Sequence, residues 1–189
     1  MPIDARVQEL IAAGDLRTAA TEALRVLGPQ VLRYLRSVLR NEADAGDAFS
    51  QFAENLWSGL AGFRGQSALR TWAFRIARNA AANLRDEAWR RRGRPFATGE
   101  ASALALEIRT ASAVRAEQQH DALSKLREAL TDDDRALLAL RVDQQLSWEE
   151  VAEILSADDA PVTAGTLTKR FERLKDRLAR MAKEQGLLG

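Results

Sequence analysis

FRGQSALRTWAFRIARNAAANLRDEAWRRRGR, residues 63–94, sets nine arginines against two acids, Asp86 and Glu87. That is a net +7 within a chain of 189 residues whose formal net charge is only +1. Positive charge gathered in one segment is the electrostatic footprint of a surface that meets phosphates. From about Leu69 the apolar residues Ala73, Ile76, Ala77, Ala80 and Leu84 recur at steps of three and four, the period of a helix with one buried stripe. Arg75, Asn79, Asn83, Asp86 and Arg90 fall along another line of the same helix. Two amides able to read base edges therefore sit between guanidiniums able to hold a backbone. An arginine-rich helical face is in most proteins simply solvated. What points further here is the stretch ahead of it. Phe63, Arg64, Gly65, Gln66 and Ser67 provide a Gly and a Ser for a tight, irregular path, with Trp72 and Phe74 close behind. This predicts a loop rimmed with aromatics and amides, able to hold an unstacked base.

The pattern F-R-G-Q-S-x-L-R-T-W-x-x-R-I-A-R-N, followed by an arginine run, resembles the promoter-melting part of bacterial sigma factors of the extracytoplasmic-function class. The resemblance implies that the loop of Phe63, Arg64, Gln66 and Ser67 captures a flipped base of the minus-10 element. It implies further that Asn79 and Asn83 contact the last paired step, and that Arg75, Arg78 and Arg90 hold phosphates. The family often carries Asp where Asn83 stands. Its tryptophan at the place of Trp72 is packed, so Trp72 is not among the expected DNA contacts.

Composition bounds the rest. With 11 Gly and 4 Pro, and with Ala, Leu, Arg and Glu dominant, the chain reads as all-α. It has no cysteine and a single histidine, His120, which excludes thiolate metal sites, disulfides and catalysis built on Cys-His or His pairs. No catalytic residue, metal or cofactor is expected. No apolar run approaches the roughly 20 residues of a membrane helix, and the acidic, polar N-terminus does not read as a signal peptide. The expectation is a cytoplasmic protein with no membrane insertion of its own. Net charge alternates along the chain: −2 over residues 1–60, +7 over 61–95, −1 over 96–130, −7 over 131–163 and +4 over 164–189. Two basic blocks separated by neutral and acidic material suggest two DNA-facing surfaces.

Helical spacing runs over residues 3–13 and 16–27 around Gly14 and Asp15, and Pro29 can open a third helix through Val31, Leu32, Leu35, Val38 and Leu39. A fourth helix, about residues 44–57, bears Asp44 and Asp47 near its positive end. In sigma factors the helix matching 44–57 docks on the clamp helices of the polymerase's largest subunit, which implies contacts by Asp44, Asp47, Gln51, Glu54 and Trp57. This chain departs from the family pattern with Ser50 in place of a usual Gln, Gln51 in place of an acid and the Phe shifted to Phe52.

Residues 96–113, rich in Ala, Ser, Thr and Gly, keep no sustained period. They read as a flexible linker with at most a short helix. The domains are then 1–95 and 114–189. In the second, Leu123, Leu126 and Leu130 form a stripe, and Thr131 caps a helix whose first turn is Asp132, Asp133 and Asp134. Ser147 and Glu150 form a capping box ahead of a short helix. A second helix from about residue 163 buries Leu167, Phe171, Leu174, Leu178 and Met181. The pair outlines a helix-turn-helix. Thr166, Lys169, Arg170, Arg173, Arg177 and Arg180 share one third of the second helix's circumference, where Arg170 and Arg173 can pair with guanine edges or with phosphates. The same apolar spacing is also a short heptad pattern, the coiled-coil alternative.

Residues 146–155, LSWEEVAEIL, and 163–178, TAGTLTKRFERLKDRL, are similar to the sigma domain that recognises the minus-35 element, which implies contacts there by Thr166, Lys169, Arg170, Arg173 and Arg177. The turn between them, residues 156–162, is longer than that family's. The resemblance as a whole implies a sigma factor that binds core RNA polymerase and promoter DNA, with an anti-sigma factor among its candidate partners. The alternative is a stand-alone helix-turn-helix regulator with a helical dimerisation or ligand domain at its N-terminus.

Overall fold

The computed structural model describes residues 2–39, 41–85, 99–116, 126, 128–157 and 160–184, with backbone alone for 85 and 112–116. The chain divides into two compact units, Met1–Val114 and Arg115–Gly189. Among the described residues all regular structure is helical, apart from an isolated bridge between Ala157 and Ala160.

The first unit begins with α1 (Ile3–Ala12), which buries Val7 and Leu10. Gly14, at φ +78°, turns the chain, and Asp15 caps α2 (Leu16–Val38) by accepting from the Thr18 amide at 3.1 Å. Helix α2 is continuous through Pro29, so the separate third helix expected from Pro29 is not formed. A proline inside a helix costs about 3 kcal/mol. Against that, Leu24, Leu27, Val31, Leu32 and Leu35 are buried on both sides of it. At about 1.5–3 kcal/mol for each such side chain, keeping one continuous apolar face outweighs the lost hydrogen bond.

Helix α3 (Glu42–Gly59) is capped by Asn41 and tied to the end of α2 by Arg36, which grips Glu42 through Nε and Nη2 at 2.9 and 2.6 Å. It buries Phe49, Phe52 and Leu56. A 3-10 turn, Leu60–Gly62, leads to the loop before α4 (Leu69–Arg85). Helices α2, α3 and α4 pack on one another. Ala73, Ala77 and Ala80 of α4 are wholly buried, and Phe74 meets Tyr34 of α2 edge-on at 5.5 Å.

Most of the segment expected as a flexible linker is instead α5 (Gly99–Ala116). Ala101, Leu104, Ala105 and Ile108 are buried, a stripe at steps of three and four hidden in sequence by neighbours such as the exposed Leu106. Ile108 seats over Gly28 of α2, where an added Cβ would stand 2.8 Å from its Cδ1. The guanidinium of Arg109 lies against Gly46 of α3 in the same way, and Arg17 of α2 pairs with Glu100 at 2.8 Å. Two glycines thus admit α5 onto the unit.

In the second unit, Thr131 caps α6 (Asp132–Leu138), accepting from the Asp134 amide at 3.3 Å. The helix widens into a π turn, Ala139–Asp143, closed by the Gln144 amide on the Ala139 carbonyl at 2.9 Å. Arg141 then links this turn to the start of the next helix, donating to the Leu146 carbonyl at 2.6 Å and lying 4.8 Å over the Trp148 ring. That helix, α7 (Trp148–Leu155), opens with the expected capping box of Ser147 and Glu150. In the connection to α8 (Ala164–Glu184), the Ser156 hydroxyl donates to the Ala152 carbonyl and accepts from the Val162 amide, at 2.7 and 3.0 Å. Helix α8 buries Leu167 and Leu174, with Phe171 edge-on to Trp148 at 5.4 Å. His120, Leu123, the arginine run at 90–94 and the acids at 158 and 159 lie outside the described residues.

Candidate nucleic-acid and polymerase interfaces

The loop ahead of α4 is held from outside. Ala68, just before the helix, has no side-chain oxygen with which to cap it, and the Leu69 amide donates instead to Asp4 of α1 at 2.9 Å. Gly65 stands at φ +68°, a conformation that costs other residues about 1–2 kcal/mol. The Gln8 side chain of α1 occupies the space where a Cβ would project. The aromatic rim expected from the sequence does not form. Phe63 is 8% exposed and stacks at 5.0 Å on the half-buried Trp72, while Phe74 is wholly buried. These rings carry too much apolar surface to remain in water when a core lies within reach. Arg64 and Gln66 are exposed and Ser67 is half-buried.

On α4 the line of Arg75, Asn79 and Asn83 faces solvent, with Arg78 half-buried beside it. Arg90 lies outside the described residues. Of the five residues expected to meet polymerase on α3, Asp47 is exposed, whereas Asp44 and Trp57 are half-buried. Asp44 exchanges hydrogen bonds with Asn41 at 2.6 and 2.8 Å. Trp57 lines a shallow groove with Arg17 and Arg25 of α2 and Leu104 of α5. Gln51 and Glu54 are buried, contrary to expectation. Gln51 donates to Asn55 at 3.0 Å, and Glu54 accepts from Ser102 of α5 at 3.0 Å. The helix formed by the supposed linker reaches Glu54.

The α8 flank divides in two. Thr166, Lys169, Arg173 and Arg180 are exposed. Arg170 and Arg177, at the border with the buried stripe, converge on Asp134 of α6. Arg170 Nε and Nη2 reach its Oδ1 at 2.9 and 2.8 Å, and Arg177 Nη2 reaches Oδ2 at 2.5 Å. The Asp134 side chain is 10% exposed. Burial pushes its carboxyl upward, but hydrogen bonds from Arg170, Arg177 and Thr131 outweigh this and hold it below the usual range.

Residues 24–94, from within α2 through α4 and beyond it, match the family model of sigma-70 region 2. Over 178 residues the chain is 28% identical to the RNA polymerase sigma factor YlaC of Bacillus subtilis (strain 168), covering 89% of this chain and 97% of that protein. Both comparisons point to RNA polymerase sigma factors. No solved structure matches it.

The parts of this chain that local pattern does not announce are its long-range ties. Asp4 and Gln8 lie outside the matched residues yet brace the loop at 63–68, and no spacing rule links residue 4 to residue 69. Asp134 reads in sequence as one of three acids complementing a helix dipole. Only packing brings it to arginines 36 and 43 positions later. No helix among the described residues is long and apolar enough to cross a membrane.

Replacing Asp4 with Ala leaves the Leu69 amide uncapped, and the first unit should lose about 1 kcal/mol, read by denaturant unfolding. Hydrogen exchange should quicken at the start of α4 and be unchanged in α8. For Asp134 the depressed folded pKa fixes the sign of the pH dependence. Its contribution is full above the unfolded value near 3.8 and is lost as pH falls through the lower folded value. Stability curves of the wild type and Asp134→Asn should therefore diverge above about pH 4 and close up in stronger acid, as thermal unfolding across pH would record.

Proposed function

We propose that this chain is a sigma factor of the extracytoplasmic-function class, which docks on core RNA polymerase through the exposed edge of α3, sets the outer flank of α8 on the minus-35 element, and opens the minus-10 element at α4 and the 63–68 loop. The observation that carries the reading is a pair of exposed cationic helix faces in separate units, one of them inside the region 2 match. The α4 face offers Arg75, Asn79 and Asn83; the α8 face offers Thr166, Lys169 and Arg173.

Chemistry assigns the steps. Unstacking a base costs a few kcal/mol, and a pre-braced loop limits the further entropy lost in receiving it. Arg64, Gln66 and Ser67 supply the polar groups for that base, with Phe63 on Trp72 as the floor beneath them. Asn79 and Asn83, each with a donor and an acceptor, face the last paired step, while Arg75 and Arg78 hold phosphates. Asp44, Asp47 and Trp57 remain as the polymerase-facing set on α3. An anti-sigma factor that covers these faces, and a cytoplasmic setting, complete the proposal.

A stand-alone regulator would shift an isolated promoter duplex by itself, whereas this reading requires core polymerase for specific initiation. Run-off transcription with purified core polymerase on genomic fragments tests it, and absence of association with the core enzyme would refute it. Arg173→Ala should weaken binding to the upstream element by about 1–3 kcal/mol and relax its sequence preference. An unchanged preference would remove Arg173 from the reading set. The double change Asn79→Ala, Asn83→Ala should leave polymerase binding intact and reduce opening, read as lost permanganate reactivity of unpaired thymines.

A further inference from the structure

Helix α8 bears arginines of two kinds. Among the described residues, Lys169, Arg173 and Arg180 form no ion pair, while Arg170 and Arg177 share the carboxylate of Asp134 at 2.8 and 2.5 Å. Asp133 adds a second, looser acid, 3.8 Å from Arg170 Nη2. Two guanidiniums and two carboxylates leave this flank without net charge, and Asp134 is largely shielded from the solvent that would weaken its pairing. The three side chains also join α8 to α6, a contact separate from the apolar stripe of Leu167 and Leu174.

We propose that Asp134 is a positioning residue that withholds Arg170 and Arg177 from DNA phosphates, so that the face left to DNA is Thr166, Lys169, Arg173 and Arg180. The inference rests on the reading of α8 as the DNA face given above. Its consequence is selectivity. Phosphate contacts strengthen binding to every sequence alike, whereas base contacts discriminate. An acid that holds back two phosphate-seeking groups lowers affinity for random DNA more than for the preferred element.

Salt dependence counts phosphate contacts, because each one neutralised adds about 0.9 to the slope of log affinity against log salt. The experiment uses the full chain assembled on core polymerase and a fluorescent 30-base-pair duplex of mixed sequence, titrated at several salt concentrations, with each variant's slope compared with that of the wild-type assembly. Asp134→Asn should bind this duplex more tightly at low salt, with a slope steeper by about one to two. Arg170→Gln and Arg177→Gln, each leaving Asp134 one partner, should keep the wild-type slope. Lys169→Gln, at an exposed cation of the same face, should flatten it by about 0.9.

A merely structural Asp134 would lower the unfolding temperature in Asp134→Asn without steepening the slope, which would overturn the proposal. Flattening by Arg170→Gln or Arg177→Gln would overturn it as well, and these two variants decide the matter even if Asp134→Asn does not fold. A slope that Lys169→Gln leaves unchanged would instead refute α8 as the DNA face, and the inference with it.

Discussion

A helix that shows arginine and asparagine to one side must be seated firmly by the other, and α4 is seated by alanines set between Leu69, Phe74 and Leu84. Ala73, Ala77 and Ala80 have no exposed surface. Such small side chains lose no rotamer entropy on burial and let helices approach closely. Larger apolar contributions then come from neighbours, Leu32 and Leu35 on α2 and Phe49, Phe52 and Leu56 on α3. Helix α4 thereby presents Arg75, Asn79 and Asn83 from a fixed back, and the geometry of every candidate minus-10 contact on it depends on how well that back is seated.

Rigidity on one side of this helix is matched by bracing at its start. Gly65 takes a backbone conformation few other residues tolerate, and Asp4 fills a capping role that Ala68 cannot. A loop built in this way holds its shape before any partner arrives. It does so at the expense of its aromatic rings, because Phe63 and Phe74 have gone to the core and polar groups alone remain exposed around Gln66.

What the sequence disclosed was whatever chemistry decides within a turn or two. The capping box of Ser147 and Glu150, the Thr131 cap, the helical spans of α1, α4 and α8 and the alanine stripe all depend on neighbours three or four positions apart. The misreadings have a common cause. Pro29 breaks a helix by local rules, but fully buried leucines on both flanks hold α2 together. Residues 99–116 have too little periodic contrast to declare a helix, and it is Gly28 and Gly46, some 60 to 80 positions earlier, that give Ile108 and Arg109 a seat. Glu54 reads as a surface contact until that helix brings Ser102 to it. Arg170 and Arg177 lie nearer the apolar stripe than Arg173 on a helical wheel, but the acid that holds them is on another helix and no local spacing reveals it.

Helix α5 also stores length. Wound as it is, its 18 residues cover about 27 Å; drawn straight, the same residues would cover about 60 Å. This end of the first unit is therefore a spool, and the catch is small: Ile108 over one glycine, Arg109 over another, and the Arg17–Glu100 pair. Letting it out would more than double the distance that these 18 residues can span.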